Sequence, residues 1–250
     1  MSQKLLMPCI YLYQQKAVAG LNDKTVVNMN PVELARYYSD QQADALLIFD
    51  LSNGDVEHEE ALDIMKAICE TVAIPVIGAG NVKRMEDVKK ILYAGCKKAV
   101  LNFSKESNIA ILEEVSQKFG KDKIIVSIAA ETEIVNHRVE IEQYAAEILL
   151  INENRIRETL ELATLPVLMS MPDVSLDKIM EAFGRENVYG ITGKAMNDNA
   201  QEFVNIKQLC KENGLEVHTL EASLKWSDFK KNSDGHVTVV VQDDKTDEVL

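Results

Sequence analysis

The chain has 250 residues with a formal net charge of −13, and its 46% hydrophobic and 27% charged residues are ordinary for a globular protein of one or two domains. An acidic surface repels nucleic acid and anionic lipid, so we expect neither as a general partner, although backbone N–H groups can still bind a phosphorylated small molecule. No apolar run reaches the roughly 18 to 20 residues of a membrane span, and the polar N-terminus does not resemble a signal peptide, which predicts a cytoplasmic protein.

Short apolar runs alternate with segments of helical period over the first 217 residues. Eight runs are predicted strands: 6–12, 45–51, 75–78, 99–102, 124–128, 147–151, 166–170 and 188–192. Seven segments are predicted helices: 31–39, 57–71, 85–94, 108–119, 156–163, 175–183 and 200–212. Strands that are apolar almost throughout, each separated by a helix, indicate parallel strands covered on both faces.

Eight such units in about 215 residues match an α/β fold of the (β/α)8 TIM-barrel type, with a doubly wound open sheet as the alternative. Residues 43–102 and 145–193 follow the same order of small-residue lead-in, strand, helix and a strand opening with an aliphatic residue, proline and valine. Such an internal repeat favours a closed barrel built from two halves. The segment 131–144 leaves room for only a short helix or none, which predicts an eroded fifth βα unit.

The character of the sequence changes after Val217. Residues 218–223 read as a linker, and residues 224–250 are rich in Asn, Ser, Asp and Gly before a valine-rich run. The run 237–242 is predicted to be a strand, 243–246 a turn, and 248–250 the start of a returning strand. We therefore predict a barrel domain over 1–217 and, over 224–250, the first strands of a β-rich domain.

Two loops at strand ends are candidates for holding a phosphate, because function in such barrels collects where strands end. Small residues after strand three let backbone amides approach a ligand, and polar residues after strand four can donate hydrogen bonds to it. The candidate phosphate-binding residues are Gly78, Ala79, Gly80, Asn81, Asn102 and Ser104. The alternative is that the glycines only make a tight turn.

Other strand ends carry weaker candidates. Asp50 ends strand two, where a carboxylate acts as a base, orients a substrate or caps a loop. After strand seven, Met171 adds bulk and Pro172 removes an N–H donor, so a phosphate would be held poorly there. Lys194 follows strand eight and is either a ligand contact or a surface lysine.

Histidines and cysteines give no metal-site spacing. Four histidines are spread along the chain and are predicted to be solvated surface residues: His58, His137, His218 and His236. Four cysteines lie far apart without a C-x-x-C pair: Cys9, Cys69, Cys96 and Cys210. We predict that these thiols are buried and reduced, and that this segment binds no metal.

Residues 6 to about 217 resemble the cyclase subunit of imidazole glycerol phosphate synthase and its sister phosphoribosyl isomerase, both (β/α)8 barrels of histidine biosynthesis. The matching stretches are MPCIYL, NPVELARYYSDQQADALLIFDLS, IPVIGAGNVKRMEDVKKILYAGCKKAVLN and AAEILLI. The resemblance implies catalytic aspartates late in strand one and at the end of strand five, where this chain has Tyr11 and Ala129. Tyrosine titrates near pH 10 and alanine does not titrate, so neither replaces a carboxylate near neutral pH.

Other family features are kept in part. The glycine-rich phosphate loop after strand seven corresponds to SMPD, and the long loop after strand five is mostly absent, whereas Asp50, loop 78–81 and Asn102 match. The resemblance thus implies an inactive barrel that keeps one phosphate half-site for a phosphoribosyl intermediate. One alternative is an active cyclase or isomerase in which Asp50 is the base, supported by Tyr11 or Lys194. Another is a dimerisation or partner-docking platform, since the family docks a glutaminase on the opposite barrel face.

The tail FKKNSDGHVTVVVQDDKTDEVL, residues 229–250, is similar to the opening of phosphoribosyl-AMP cyclohydrolase, whose N-terminal hairpin carries VQD-x-x-T-x-EVL. The similarity implies a longer polypeptide in which a cyclohydrolase domain follows Leu250, with or without a phosphoribosyl-ATP pyrophosphohydrolase domain after it. A cut chain and a premature stop would both explain the end at Leu250. Zinc, magnesium and a homodimer contact are implied only for that further domain, and no cofactor is implied for this segment.

Overall fold

A computed structural model describes residues 3–151, 156–172, 174–220, 224, 226–242, 246 and 248–249. The chain divides into two compact units, Met1–Thr219 and Leu220–Leu250. In the described ranges no helix is both long enough and apolar enough to cross a membrane.

The first unit alternates strands and helices. Its strands are β1 (Leu5–Leu6), β2 (Cys9–Tyr13), β3 (Lys16–Val18), β4 (Val26–Asn28), β5 (Leu46–Asp50), β6 (Val76–Ala79), β7 (Lys98–Asn102), β8 (Ile124–Ile128), β9 (Glu147–Leu150), β10 (Val167–Ser170) and β11 (Val188–Thr192). Its helices are α1 (Pro31–Asp40), α2 (Asp55–Thr71), α3 (Met85–Tyr93), α4 (Glu106–Phe119), α5 (Glu131–Tyr144), α6 (Ile156–Leu162), α7 (Leu176–Phe183), α8 (Lys194–Asp198) and α9 (Phe203–Glu212). Short 3-10 turns lie at Lys121–Lys123 and Ala200–Glu202.

The sheet closes on itself, which confirms the predicted (β/α)8 barrel. The predicted first strand is interrupted at Pro8, which has no N–H to donate to a ladder. Before the interruption β1 pairs in parallel with β11, and after it β2 pairs in parallel with β5. Residues 5–13 therefore pair with β11 through β1 and with β5 through β2. This stretch of chain closes the sheet between β11 and β5.

Alternate residues of the strands pack on opposite sides of the sheet. One apolar cluster takes residues from all eight parallel strands and fills the lumen: Met7, Cys9, Tyr11, Ala45, Leu47, Ile77, Ala79, Val100, Ile125, Leu149, Leu168 and Tyr189. The other, larger cluster lies between the sheet and the helices. At the floor of the lumen Lys98 forms an ion pair with Glu147, and the Tyr189 hydroxyl donates to Glu147 Oε2 at 2.7 Å.

The fifth βα unit was predicted wrongly. Helix α5 is 14 residues long, although its backbone departs from helical geometry at His137 (φ −126°, ψ 23°). Only Ile134 and Ile141 on this helix are buried, so its apolar periodicity is weak and the sequence pattern did not reveal it. The loop that joins β8 to α5 is nonetheless short, since β8 ends at Ile128 and α5 begins at Glu131.

An antiparallel extension of the sheet was not predicted. Strands β3 and β4 add to β2, and the turn between β2 and β3 holds Gln14 and Gln15 at φ +46° and +61°. Two successive left-handed residues form the tight turn that matches the twist of a hairpin. Asparagine and glycine usually mark such a turn, and their absence from these two positions hid it in the sequence.

The second unit is described by itself. Its rings Trp226 and Phe229 lie 6.0 Å apart, and Gln242 pairs with Val249 through one antiparallel bridge. Beyond this bridge, the described residues of the predicted strand 237–242 form no ladder of backbone hydrogen bonds. An isolated hairpin has too little apolar contact to be stable in water. Residues 243–245, 247 and 250 of the predicted turn and returning strand lie outside the described residues.

Candidate functional site

The loop after β6 approaches the end of β5 very closely. Gly80 lies at φ +91° and Asn81 at φ +51°, both in the left-handed region that glycine and asparagine tolerate best. A Cβ atom on Gly80 would overlap the carbonyl oxygen of Asp50, so glycine is required at this point. Asn81 then donates from Nδ2 to the carbonyl oxygen of Ser52 at 3.0 Å. The two loops are therefore held together as one rim of the barrel mouth.

Gly78 has a different role from Gly80. A Cβ atom on Gly78 would overlap Cγ2 of Ile91 in α3 and lie 3.2 Å from Sγ of Cys96. The residue faces the helix layer, as its pairing with the outward-facing Ala99 also indicates. Glycine at this position therefore permits close packing of α3 on the sheet. Ala79, the next residue, faces the lumen.

The Asp50 carboxylate lies between the sheet and α2. In β5, Leu47 and Phe49 face the lumen, so Asp50 faces the helices, where it is 2% exposed. Its Oδ2 lies 2.5 Å from Nδ1 of His58, and its Oδ1 accepts hydrogen bonds from the backbone N–H and the hydroxyl of Ser52. Because a carboxylate only accepts, the proton of this contact belongs to His58 Nδ1. The arrangement fixes the loop between β5 and α2.

These hydrogen bonds decide the protonation state of Asp50. Burial by itself raises the pKa of a carboxyl group, but hydrogen bonds from His58, Ser52 and Asn81 outweigh burial and lower the pKa of Asp50 below its ordinary value. Asp50 is therefore ionised at neutral pH. Its lone pairs are already used by groups of the protein, and the geometry gives it a positioning role for the mouth loops.

His58 corrects a second prediction. It was expected to be solvated, but it is 6% exposed and bound to Asp50. Its Nε2 atom is buried and has no hydrogen-bond partner among the described residues. The signal that identifies it is its spacing: His58 lies on the face of α2 that also buries Ala61, Met65 and Ile68.

The loop after β7 is held by a buried asparagine. Asn108 in α4 is 1% exposed, accepts from the backbone N–H of Asn102 at 2.9 Å and donates to the carbonyl oxygen of Val82 at 2.8 Å. It therefore links the loops that follow β6 and β7. The side chain of Asn102 accepts from the backbone N–H of Ser104 at 2.9 Å, which turns the chain into α4. The structure thus brings the two predicted phosphate loops together.

An acidic residue also reaches this corner of the mouth. Glu133, in the first turn of α5, accepts from the Ser104 hydroxyl at 2.9 Å and from the backbone N–H of Ala129 at 2.8 Å. The carboxylate caps the start of α5, as a glutamate in this position commonly does. It also engages the hydroxyl that was predicted to bind phosphate. Glu133 was not singled out from the sequence, because its position in a helix was not predicted.

The two positions at which the resemblance implies catalytic aspartates face the lumen. Tyr11 is 8% exposed, stacks on Phe49 with ring centroids 5.5 Å apart, and its hydroxyl contacts the thiol of Cys9. Ala129 directly follows β8, whose Ser127 pairs with the lumen-facing Leu149. Alternation along the chain therefore directs the methyl group of Ala129 to the lumen.

The far side of the mouth offers few donors among the described residues. The backbone N–H of Met171 donates to the carbonyl oxygen of Thr192 at 3.0 Å, and Pro172 has no N–H. Asp173 lies outside the described residues. Lys194 is exposed and pairs with Asp198 at 3.5 Å, while the buried hydroxyl of Thr192 has no partner in the described structure.

The remaining histidines are dispersed. His137 is half-buried and stacks on Phe103 with centroids 5.9 Å apart, so it too departs from the prediction of a solvated residue. His218 and His236 are exposed as predicted. The described residues contain no group of three or more His, Cys, Asp or Glu side chains placed to hold a metal ion.

Comparison with known proteins identifies the family of the chain. The profile of the family described as "Histidine biosynthesis protein" matches residues 5–169, about two thirds of the chain. The chain belongs to this family. The matched region contains loops 78–81 and 102–104, Asp50, Tyr11 and Ala129, and it ends within β10.

Individual members of the histidine biosynthesis protein family are moderately similar. "Imidazole glycerol phosphate synthase subunit HisF" of Staphylococcus saprophyticus is 26% identical over 251 residues, covering 87% of this chain and all of that protein. The proteins of the same name from Campylobacter concisus and Methanocaldococcus jannaschii are 30% and 31% identical over 129 and 137 residues. These two matches cover 51% and 54% of this chain and about half of each relative (51% and 50%).

Proposed function

We propose that this member of the histidine biosynthesis family is a non-catalytic, cyclase-like barrel that holds a phosphoribosyl intermediate by one phosphate half-site. In this proposal the barrel is the N-terminal module of a longer histidine-biosynthesis polypeptide with phosphoribosyl-AMP cyclohydrolase activity. The observation that carries the proposal is the chemistry of the lumen: a phenol at Tyr11 and a methyl group at Ala129 stand where the family's two aspartates are expected.

General acid–base catalysis needs a group whose pKa lies near the working pH. The phenol of a tyrosine keeps its proton near neutrality, and a methyl group has none to exchange. Tyr11 is further packed against Phe49 and Cys9. Neither position therefore supplies the proton transfers of a cyclase or an isomerase.

The retained half-site is the rim formed by the loops after β6 and β7. Gly80 and Asn81 hold the first loop in a left-handed conformation, and Asn108 links this loop to the second. Backbone N–H groups bind phosphate without needing a net positive surface, which fits a chain of net charge −13. A sugar phosphate with one anchored end is the ligand class that this rim favours.

The cyclohydrolase part of the proposal rests on the resemblance of residues 229–250. Zinc and magnesium would belong to that further module. The sequence of the second unit, residues 220–250, contains no cysteine. This stretch by itself therefore does not provide thiolate ligands for zinc. No step in the barrel depends on either metal.

The alternative function is an active cyclase or isomerase with altered catalytic residues. The names of the similar proteins favour it, since each is a subunit of imidazole glycerol phosphate synthase. In this alternative Asp50 acts as base, with Tyr11 or Lys194 in support. Asp50 faces α2 and has its oxygens engaged, so the alternative requires the mouth loops to rearrange when substrate binds.

Turnover measurements separate the two functions. The purified chain is assayed for cyclase turnover with ammonia and for the phosphoribosyl isomerase reaction, beside the Asp50→Asn and Tyr11→Phe variants. The non-catalytic barrel predicts no turnover above buffer for any of the three proteins. Turnover by the native chain that disappears in either variant contradicts the proposal and supports the active enzyme.

Binding is tested separately from turnover. Calorimetric titration with inorganic phosphate and with a phosphoribosyl intermediate is expected to give saturable binding that Ser104→Ala weakens by about threefold to tenfold, the loss of one hydrogen bond to a charged ligand. Ser227→Ala, in the second unit, is the matched control and leaves binding unchanged. Absence of saturable binding would remove the half-site from the proposal but leave the turnover result standing.

A further inference from the structure

Two of the four cysteines meet behind the strands that carry the candidate site. Cys69 lies in the last turn of α2, and Cys96 lies between α3 and β7. A Cβ atom on Gly95 would lie 2.8 Å from Cβ of Cys69 and 3.4 Å from its Sγ, so the residue preceding Cys96 is in direct contact with Cys69. The two thiols are hydrogen-bonded to each other. Cys9 and Cys210 lie elsewhere in the core.

The surroundings of the two thiols differ. Cys96 is 4% exposed, and its Sγ packs over Gly78 of β6, whereas Cys69 is half-buried. The hydrogen bond from Cys96 lowers the pKa of Cys69; burial opposes this, the charge of Lys97 assists it and that of Glu70 opposes it. The same hydrogen bond and burial raise the pKa of Cys96. One thiol is thus the better nucleophile and the other is its buried neighbour.

A groove of about 320 Å³ borders this pair on the Cys96 side, while Cys69 lies outside the lining of the groove and is half-buried. Cys96 and Lys97 lie in its wall, together with Tyr93 and the cationic Lys123. The remaining cysteines are less suited to reaction. Cys210 is fully buried against Met180 at 3.8 Å, and burial raises its pKa to about 11; burial also raises the pKa of Cys9 well above its ordinary range.

We propose that Cys69 and Cys96 form an oxidisable dithiol that a low-molecular-weight disulfide converts to an intramolecular disulfide. The Cys69 thiolate attacks one sulfur of the reagent, forms a mixed disulfide and releases one thiolate. Cys96 then loses its proton and attacks the Cys69 sulfur, which releases the second thiolate. Overall the protein is oxidised by two electrons, the reagent is reduced to two thiols, and the two cysteine protons pass to those thiols.

The order of attack gives a sharp test with the 250-residue chain and glutathione disulfide as the probe. The native protein is expected to lose two of its four free thiols, and peptide mapping by mass spectrometry is expected to show Cys69 joined to Cys96. Cys96→Ser is expected to stop at a stable glutathione adduct on Cys69, and Cys69→Ser to give neither product. Cys210→Ser, the control, is expected to react as the native protein does.

Several outcomes would overturn the proposal: no loss of thiol in the native protein, a disulfide that joins other cysteines, or an adduct on Cys96 rather than Cys69. Circular dichroism of the serine variants establishes that each is folded, and Cys69→Ala and Cys96→Ala repeat the test with substitutions that suit a buried site better. Reducing the oxidised protein with excess dithiol is expected to restore all four thiols.

Two further readouts distinguish a reactive pair from incidental proximity. Lys97→Gln is expected to slow alkylation of Cys69 at pH 7 by about twofold to fivefold and to move its pH profile upward, because a neighbouring positive charge is lost. Oxidation is expected to raise the melting temperature by roughly 5 to 10 °C, since the new bond closes a loop in the unfolded chain. An unchanged pH profile together with an unchanged melting temperature would contradict the proposal.

Discussion

Single residues at the mouth of the barrel show how a buried carboxylate can be kept ionised. Asp50 is buried between sheet and helix, and its hydrogen bonds to His58 and Ser52 hold the loop on which Asn81 rests. The lowered pKa of Asp50 means that these bonds favour the charged form. Asp50 therefore stabilises the loops at the rim of the site from the side of the sheet that faces the helices.

The Asp50→Asn variant is expected to lower the free energy of unfolding by about 2 to 4 kcal/mol at pH 7, because a buried, charged acceptor is lost. Since the pKa of Asp50 is lower in the folded protein, its contribution is complete above the unfolded value of about 3.9 and is lost as the pH falls through the folded value. The difference from the native protein should therefore narrow below about pH 4 in urea titrations.

The control for this prediction is Asp63→Asn, an exposed carboxylate on the same helix α2. It is expected to change stability by less than about 0.5 kcal/mol at either pH. Equal stability of the two variants at pH 7 would mean that the contacts of Asp50 add little to the fold.

In the proposed phosphate half-site, the carboxylate of Glu133 opposes anion binding. Its carboxylate accepts hydrogen bonds from the Ser104 hydroxyl and the Ala129 N–H, two donors that a phosphate could otherwise use. Glu133→Gln is therefore expected to raise the affinity for inorganic phosphate by about threefold to tenfold in calorimetric titrations. Glu140→Gln removes an equal charge from an exposed position of α5 and is expected to change the affinity little. A weaker affinity in Glu133→Gln would show that the carboxylate shapes the site instead of competing for it.

The elements of the barrel were largely predictable because each parallel strand is a dense apolar run between helices. The eight predicted strands all exist, and the helices differ from prediction mainly by one or two residues at their ends. Helix α5 was not predicted, because Ile134 and Ile141 are its only buried apolar residues, while Val135 and Val139 are exposed. The long apolar stripe on which such predictions depend is absent from that helix.

The site was less predictable than the elements. The contact of Asp50 with His58 joins residues of adjacent elements, and the sequence pattern shows only that His58 shares a helix face with Ala61 and Met65. The meeting of Cys69 and Cys96 depends on the packing of α2 beside α3. Contacts of this kind follow from three-dimensional packing and leave no periodic signal.

The turn between β2 and β3 contains local strain that can be relieved. Gln14 and Gln15 both adopt positive φ, which disfavours residues with a long side chain. The double variant Gln14→Asn, Gln15→Gly is expected to raise the free energy of unfolding by about 1 kcal/mol in urea titrations, because asparagine and glycine suit this hairpin turn.

The matched control for the turn is Gln208→Gly in α9, where a glycine in a helix is expected to lower the free energy of unfolding by about 1 kcal/mol. Opposite signs for the two glycine substitutions would identify backbone conformation as the cause. A loss of stability in both would mean that the glutamines of the turn make contacts that outweigh their strain.

At the scale of the whole barrel, buried polar groups join the last helix to the first strand. Lys207 in α9 is 2% exposed and donates to Asp44 Oδ1 and to the carbonyl oxygen of Gln42, both at 2.7 Å. Asp44 in turn accepts from the backbone N–H of Leu6 at 2.8 Å. Burial raises the pKa of Asp44, although the hydrogen bonds from Lys207 and Leu6 oppose that rise. The pair thus links both ends of the barrel sequence.

Lys207→Met is expected to lower the free energy of unfolding by about 3 to 5 kcal/mol at pH 7, because it leaves Asp44 buried without its cation. Since burial raises the folded pKa of Asp44 above its unfolded value, this cost should shrink as the pH falls and the carboxyl group takes up a proton. Urea titrations at pH 7 and pH 4 measure both effects.

The double variant Lys207→Met, Asp44→Asn provides the control. Asparagine keeps an acceptor for the N–H of Leu6 but carries no charge. The double variant is therefore expected to recover more than half of the free energy of unfolding that Lys207→Met loses. A double variant as unstable as Lys207→Met alone would assign the loss to packing around the lysine stem.

The interruption at Pro8 also has a consequence for how the protein is made. Strand β1 pairs with β11, which is synthesised last among the strands of the barrel. A growing polypeptide that has left the ribosome only as far as α7 therefore has two unpaired strand edges and an exposed apolar lumen. Joining segments so distant in the chain is entropically slow. The nascent barrel is therefore prone to association until Thr192 emerges, and chaperones that shield strand borders would act on it in that interval.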